Sequence, residues 1–323
     1  MIKRTQNIVA ESRYALPLMI VYAITVWIVS RQLFPAVPLT SGTLMNGAWV
    51  QFACFLLSAY LVVEFNNSNA LIRIYSPMVS CSFIALSCAA CFLFGSMSGA
   101  IVQLCGIAAY ICLFRTYQDK TAMGWTFYTF LCVSLASMAK VQILCFVPLL
   151  WGMMFFLLTS LSWRTFAASL LGLLTPYWLV LPFAFYQEQS ANLVSHFAAL
   201  AEFQMPYAYT HITLNQLLLF ALVVALALTG IIHYWRNSYN DSIRIRQFYS
   251  CFIVATFAII IFLVLQPQHF DMLMRLLIIS VAPLIAHFLS LTHTRVTNIA
   301  FFVITAVTVL LTILNLWTPS LHF

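Results

Sequence analysis

Charge is scarce in this sequence, and acidic charge scarcer still. Of 323 residues only 7% are charged, with 7 acidic side chains against 14 basic ones. Soluble domains carry about 25% charged residues, so a water-soluble globule of this length is excluded. The cysteines (Cys54, Cys81, Cys88, Cys91, Cys105, Cys112, Cys132, Cys145 and Cys251) all lie in apolar runs and none in a long polar loop. That placement excludes a secreted disulfide scaffold and marks most of them as small buried hydrophobes. Low-complexity segments and internal repeats are absent, as are a Walker loop, a dinucleotide fingerprint and a G-x-S-x-G nucleophile. No cofactor is therefore expected. The net charge of +7 is scattered among hydrophobic runs, which reads as a topology signal and not as a nucleic-acid surface.

Hydrocarbon fills the space that charge leaves. Hydrophobic residues make up 63% of the chain and the mean hydropathy is +0.99. A membrane-crossing helix needs about 20 mostly apolar residues. On that criterion the sequence predicts an all-α, polytopic transmembrane bundle of about eleven spans. They cover 14–30, 47–63, 75–94, 97–114, 123–139, 141–159, 165–186, 215–234, 248–265, 271–291 and 296–317. Residues 1–323 then form one integral-membrane domain. With the N-terminus inside and the C-terminus outside, eleven Lys and Arg residues fall on the inner side. Only Arg31 and Lys140 fall on the outer side, and Arg275 lies within a span. The first span lacks a small-residue cleavage site and reads as an uncleaved helix. Merging the two spans that meet at Lys140 would put Arg236, Arg244 and Arg246 outside, so the charge pattern keeps them separate. An interfacial helix is expected near 189–204, with Leu193, Val194, Phe197 and Leu200 opposite Ser195, Ala199 and Glu202.

An ionisable side chain at membrane depth is a functional candidate by default. The richest stretch is Gln266-Pro267-Gln268-His269-Phe270-Asp271 with Arg275, at the outer turn between the ninth and tenth spans. Asp271 and Arg275 are four residues apart and share a helix face. Arg275 lies about 6 Å deeper than Asp271, where its planar fork suits a phosphate or carboxylate. The ligand reading has Arg275 facing the interior, Asp271 orienting it, His269 moving a proton and Gln266 and Gln268 binding hydroxyls. The structural reading has Asp271 capping the helix and Arg275 snorkelling to it. Glu188 follows a span containing Pro176 and Pro182, and it joins Arg31, Lys140, His196, Glu202 and His211 as outer polar groups. His196, His211 and His269 lack the short spacing of metal motifs, so no metal is expected. Cys88-Ala89-Ala90-Cys91 reads as helix packing, and Gly95-Ser96-Met97-Ser98-Gly99 as a tight connection, in preference to redox and helix-dimer roles.

At Leu265-Gln266-Pro267-Gln268-His269-Phe270-Asp271, at Ser162-Trp163-Arg164-Thr165-Phe166 and at Leu174-Thr175-Pro176-Tyr177-Trp178, the chain resembles an uncharacterised family of polytopic inner-membrane proteins from Bacteroidales-type bacteria. That resemblance implies a Gram-negative inner membrane and no particular activity. In architecture the chain is loosely similar to multi-span glycosyltransferases and polymerases that use polyprenyl-linked sugars. The loop 31–46 departs from them, having neither Asp nor Glu. The expected function is the handling of a lipid-linked or phosphate-bearing envelope glycoconjugate at the outer leaflet, with the bilayer and such a substrate as partners. A small-solute transporter and a non-catalytic envelope subunit are the competing classes.

Overall fold

An apolar segment in hydrocarbon has no water to pair its backbone, so its N–H and C=O groups must be met internally, and the helix does this within one segment. The computed structural model follows that rule. It describes residues 5–33, 44–186, 195–200 and 212–317, and among these every regular element is helical. In chain order the helices are α1 (Thr5–Ala10), α2 (Ala15–Leu33), α3 (Leu44–Asn69), α4 (Met78–Ala89), α5 (Met97–Phe114) and α6 (Met123–Ala139). They continue with α7 (Val147–Gly152), α8 (Trp163–Tyr186), α9 (Leu214–Asn237), α10 (Ile243–Leu265), α11 (Phe270–Leu291) and α12 (Arg295–Trp317). Seven are long and apolar enough to cross a membrane, and the stretches Ala15–Ser30, Met78–Ala89, Met123–Ala139 and Val141–Leu157 are shorter apolar helices. The chain is a multi-pass membrane protein.

The helix at the centre is α11. In its most apolar stretch 89% of residues are buried, against 22–50% in the other six long helices. It packs on α1, α4, α5, α9 and α10. Side-chain pairs give the directions. Tyr249 of α10 donates to the Pro283 carbonyl of α11 (3.4 Å), across the turn at Gln266–His269, so these two helices are antiparallel. Gly230 of α9 lies against Leu284, and His233 one turn on lies against His287, so α9 and α11 run parallel.

Lys140 is extended, with φ −148° and ψ 102°, and it breaks the helix. The chain reverses there, because Phe130 and Trp151 come together with their rings 6.2 Å apart, at nearly equal distances on either side of it. The returning segment is irregular: a 3-10 stretch over Val141–Phe146, then α7, then a π-helical turn over Met153–Leu157. Pro148 near the start of α7 sits where its missing N–H costs nothing. The following α8 runs through Pro176 and Pro182 without interruption. The glycine-rich connection begins as a 3-10 turn at Cys91–Gly95. Ser96 then caps α5 by accepting from the Gly99 N–H (3.1 Å). Of the expected interfacial helix only 195–200 is described, with a helical turn at 195–198; the rest, with Glu188, Glu202 and His211, lies outside the described residues.

The polar connections sort to two ends. One end joins α1 to the corner after α11: Gln6 donates to the Leu289 carbonyl (2.6 Å) and to Thr292 (2.8 Å), and Asn7 to the Thr292 carbonyl (3.2 Å). At the same end Arg73 reaches the Asn240 carbonyl, Ser162 the Lys120 carbonyl, and Tyr117 packs on Phe248. Lys140 and the turn at Gln266–His269 lie at the other.

Helix backbones approach closely only where side chains are small. A Cβ on Gly172 of α8 would stand 2.5 Å from the Phe127 carbonyl oxygen of α6, which is backbone and cannot swing aside. Gly172→Ala is therefore expected to destabilise the fold by about 1–3 kcal/mol. Gly124, which has nothing within 4 Å, supplies the control. Thermal unfolding in detergent should separate Gly172→Ala from a neutral Gly124→Ala.

Candidate functional site

The turn at Gln266–His269 leads into α11. Pro267 opens a single 3-10 turn, Pro267–His269, and Phe270 begins the helix. The exposed Gln268 donates to Gln266 Oε1 (2.9 Å) and lies 3.2 Å from His269 Nε2, so the three polar side chains form one chain across the turn. Gln266 itself is buried. The His269 ring is half-buried, within electrostatic reach of the Lys140 ammonium and against Phe262, which in turn packs on Phe146. Near Lys140, Ser137 is bonded to the Tyr177 hydroxyl (2.6 Å) and its carbonyl lies 3.1 Å from His196 Nε2. Gln142 reaches the Ala199 carbonyl. Lys140, His196 and His269 are thus brought to one corner.

Arg275 points inward and is only 5% exposed. Its Nε donates to Asp271 Oδ1 (3.0 Å), its Nη1 to Gln103 Oε1 of α5 (3.0 Å), and its Nη2 to the Leu93 carbonyl of the 3-10 turn. Gln103 is itself buried. The guanidinium therefore joins α11, α5 and the turn between α4 and α5. Asp271 keeps about a third of its side chain exposed, so the pair sits at the rim of the bundle and not in a sealed core. Gly99 makes the arrangement possible. A Cβ there would stand 2.5 Å from Arg275 Nε and 2.9 Å from Asp271 Oδ2. Beside the guanidinium a cavity of about 10 Å³, lined by Trp27, Gln51, Phe55, Ser58 and Gln103, has room for one water. These bonds use three of the guanidinium's five N–H groups, which leaves one on each Nη for a water or a ligand anion.

A second cavity of about 80 Å³ lies between α5, α6, the irregular segment after Lys140, α10 and α11. Its walls are almost wholly apolar, including Val102, Ala109, Ile143, Phe146 and Leu276. Ile143 is three residues from Lys140, Phe146 touches the ring that carries His269, and Leu276 follows Arg275. The cavity's lining thus holds chain neighbours of Lys140 and Arg275, and none of Lys140, Gln268 and His269 themselves.

Three ionisable residues escaped the sequence reading. His287, 1% exposed, lies near the far end of α11, 3.0 Å from Asp241 Oδ2, and His233 packs beside it. The signal for His287 was present, since it interrupts an apolar run as Arg275 does. Its partner is 46 residues away in sequence, in a connection between helices. Among the described residues no group of three or more His, Cys, Asp and Glu is placed to hold a metal ion.

Removing one partner from a buried, charge-assisted cluster costs about 3–5 kcal/mol. Arg275→Leu is therefore expected to destabilise the fold on that scale, because it strands Gln103 and the Leu93 carbonyl. Gly99→Ala should cost about 1–3 kcal/mol by displacing the guanidinium, and most of that cost should vanish in an Arg275→Ala background. A double-mutant cycle read by unfolding in micelles checks both, and additive effects would contradict the clamp. Set against family models, curated proteins and solved structures, this chain matches none.

Proposed function

We propose that the chain is a protein of the bacterial inner membrane, with eleven spans, the N-terminus inside and the C-terminus outside. In this reading it handles a lipid-linked, phosphate-bearing glycoconjugate at the outer leaflet. The observation that carries it is the apolar cavity lined by chain neighbours of Lys140 and Arg275, near the corner that gathers Lys140, His269 and Gln268. A prenyl or acyl chain needs apolar walls, and a phosphate needs a nearby cation and hydrogen-bond donors. Both lie at one corner, formed where the chain breaks at Lys140. Arg275 serves there as the fixed frame: its three protein partners hold α5 and α11 in register, and Asp271 offers the exposed edge. The alternating directions of neighbouring helices support eleven crossings. The gathering of Arg73, Arg236, Arg244 and Arg246 at the end opposite Lys140 supports the orientation.

Two measurements test this. Reporter fusions placed after Arg246 and at the C-terminus should report the inner and outer sides respectively, and two reporters on one side would defeat the topology. In nanodiscs, a polyprenyl phosphate should bind more tightly than the matching polyprenol, by about tenfold or more if Lys140 makes one charge-assisted bond. Lys140→Gln should abolish that difference, whereas Ala109→Phe, which fills the cavity, should weaken both lipids alike. Equal binding of the two lipids by the unaltered chain would reject the reading.

A further inference from the structure

At the end opposite Lys140, α9, α11 and the connection 238–242 bring three ionisable side chains together. The Asp241 carboxylate is almost fully buried and lies 3.0 Å from His287 Nε2. A carboxylate oxygen accepts there, so in the neutral His287 ring the proton sits on Nε2 and Nδ1 carries a lone pair. Nδ1 is buried and has no hydrogen-bond partner. His233 has the complementary arrangement. The Asn237 amide nitrogen donates to the His233 carbonyl (3.0 Å), which fixes the orientation of that amide, and the same nitrogen lies 3.1 Å from His233 Nδ1. Nδ1 of His233 therefore accepts, and its proton sits on Nε2. That Nε2 is also buried and unpartnered. The two rings stand side by side, 5.4 Å between centroids and tilted by 55°.

One ring thus offers an unused acceptor and its neighbour an unused donor, both cut off from bulk solvent. An unmet buried polar atom costs about 1–3 kcal/mol. A water molecule meets both needs at once, donating to one nitrogen and accepting from the other. A divalent metal does not, because it needs a lone pair on His233 Nε2 and hence a proton on Nδ1, where the Asn237 amide already donates. Packing by Tyr234, Tyr249 and Phe288 holds both rings in place.

We propose that His287 and His233 bind one water molecule between them, making a hydrogen-bonded chain that runs Asp241, His287, water, His233. In it His233 Nε2–H donates to the water, the water donates to His287 Nδ1, and His287 Nε2–H donates to the Asp241 carboxylate, so both buried ring nitrogens are met and no proton changes place. It is independent of the outer-side reading and stands or falls apart from it.

The test is ring-nitrogen NMR of the full chain, labelled at histidine and reconstituted in lipid bilayers, with resonances assigned through His233→Gln and His287→Gln. Both rings should be neutral with the proton on Nε2. The His287 Nδ1 signal should sit at the position of a hydrogen-bonded acceptor and show a cross-peak to water. In His233→Leu that cross-peak should be lost, while the Nε2–H signal directed at Asp241 persists. A proton on Nδ1 of either ring, a direct coupling between the two rings, or no water contact at His287 in the unaltered chain would overturn the proposal, whether or not the leucine variant folds. Added zinc should shift neither ring, and a stoichiometric shift would replace the water site with a metal site.

Discussion

A guanidinium cannot be left in hydrocarbon with its N–H groups unmet, and much of one end of this bundle is arranged around that requirement. Three of the five N–H groups of Arg275 are met by a carboxylate from its own helix, a glutamine from α5 and a carbonyl from the turn between α4 and α5. Each partner fixes something. Asp271 sets the rotamer, Gln103 sets the height of α5, and the Leu93 carbonyl sets where the 3-10 turn ends. Gly99 follows from these, since any Cβ there would collide with the cluster. The penalty for an unmet charge at this depth is several kcal/mol, whereas dispersion between apolar helices is nearly matched by dispersion to lipid. The cluster therefore specifies one helix arrangement where apolar packing alone would allow several.

The sequence made the helices legible because length and hydropathy are local properties. Each of the eleven apolar runs has a helical counterpart, and the break at Lys140 stands where the basic residues required a reversal. The pairing of Asp271 with Arg275 was also local, being set by the helical repeat. What escaped was everything that depends on which helices touch. Gln103 looked like an incidental polar residue in α5, and only the fold brings it 3.0 Å from a residue 172 positions away. Asp241 and His287 were invisible for the same reason. The irregular segment after Lys140 was hidden differently: its composition is as apolar as a plain helix, and its 3-10 and π turns come from packing against α6 and α10.

The two ends of the molecule solve the polar problem in opposite ways. At the corner near Lys140 the polar groups keep exposed edges, as Gln268 and Asp271 do. At the other end Asp241 and His287 are sealed, and the hydrogen bonds of Gln6, Asn7 and Ser76 lock α1 against the neighbouring corner.

The short helices have a mechanical consequence. At about 1.5 Å per residue the 12 residues of α4 measure roughly 18 Å, well short of a hydrocarbon layer of about 30 Å. The 3-10 turn that follows, rising about 2.0 Å per residue, adds about 10 Å and nearly closes the gap. The 17 residues of α6 reach only about 26 Å and have no such extension. Its neighbour α8, at 24 residues, reaches about 36 Å and must tilt to fit the same layer. A short helix packed on a long one is accommodated by tilt of the long one, which favours a thinner membrane beside the pair.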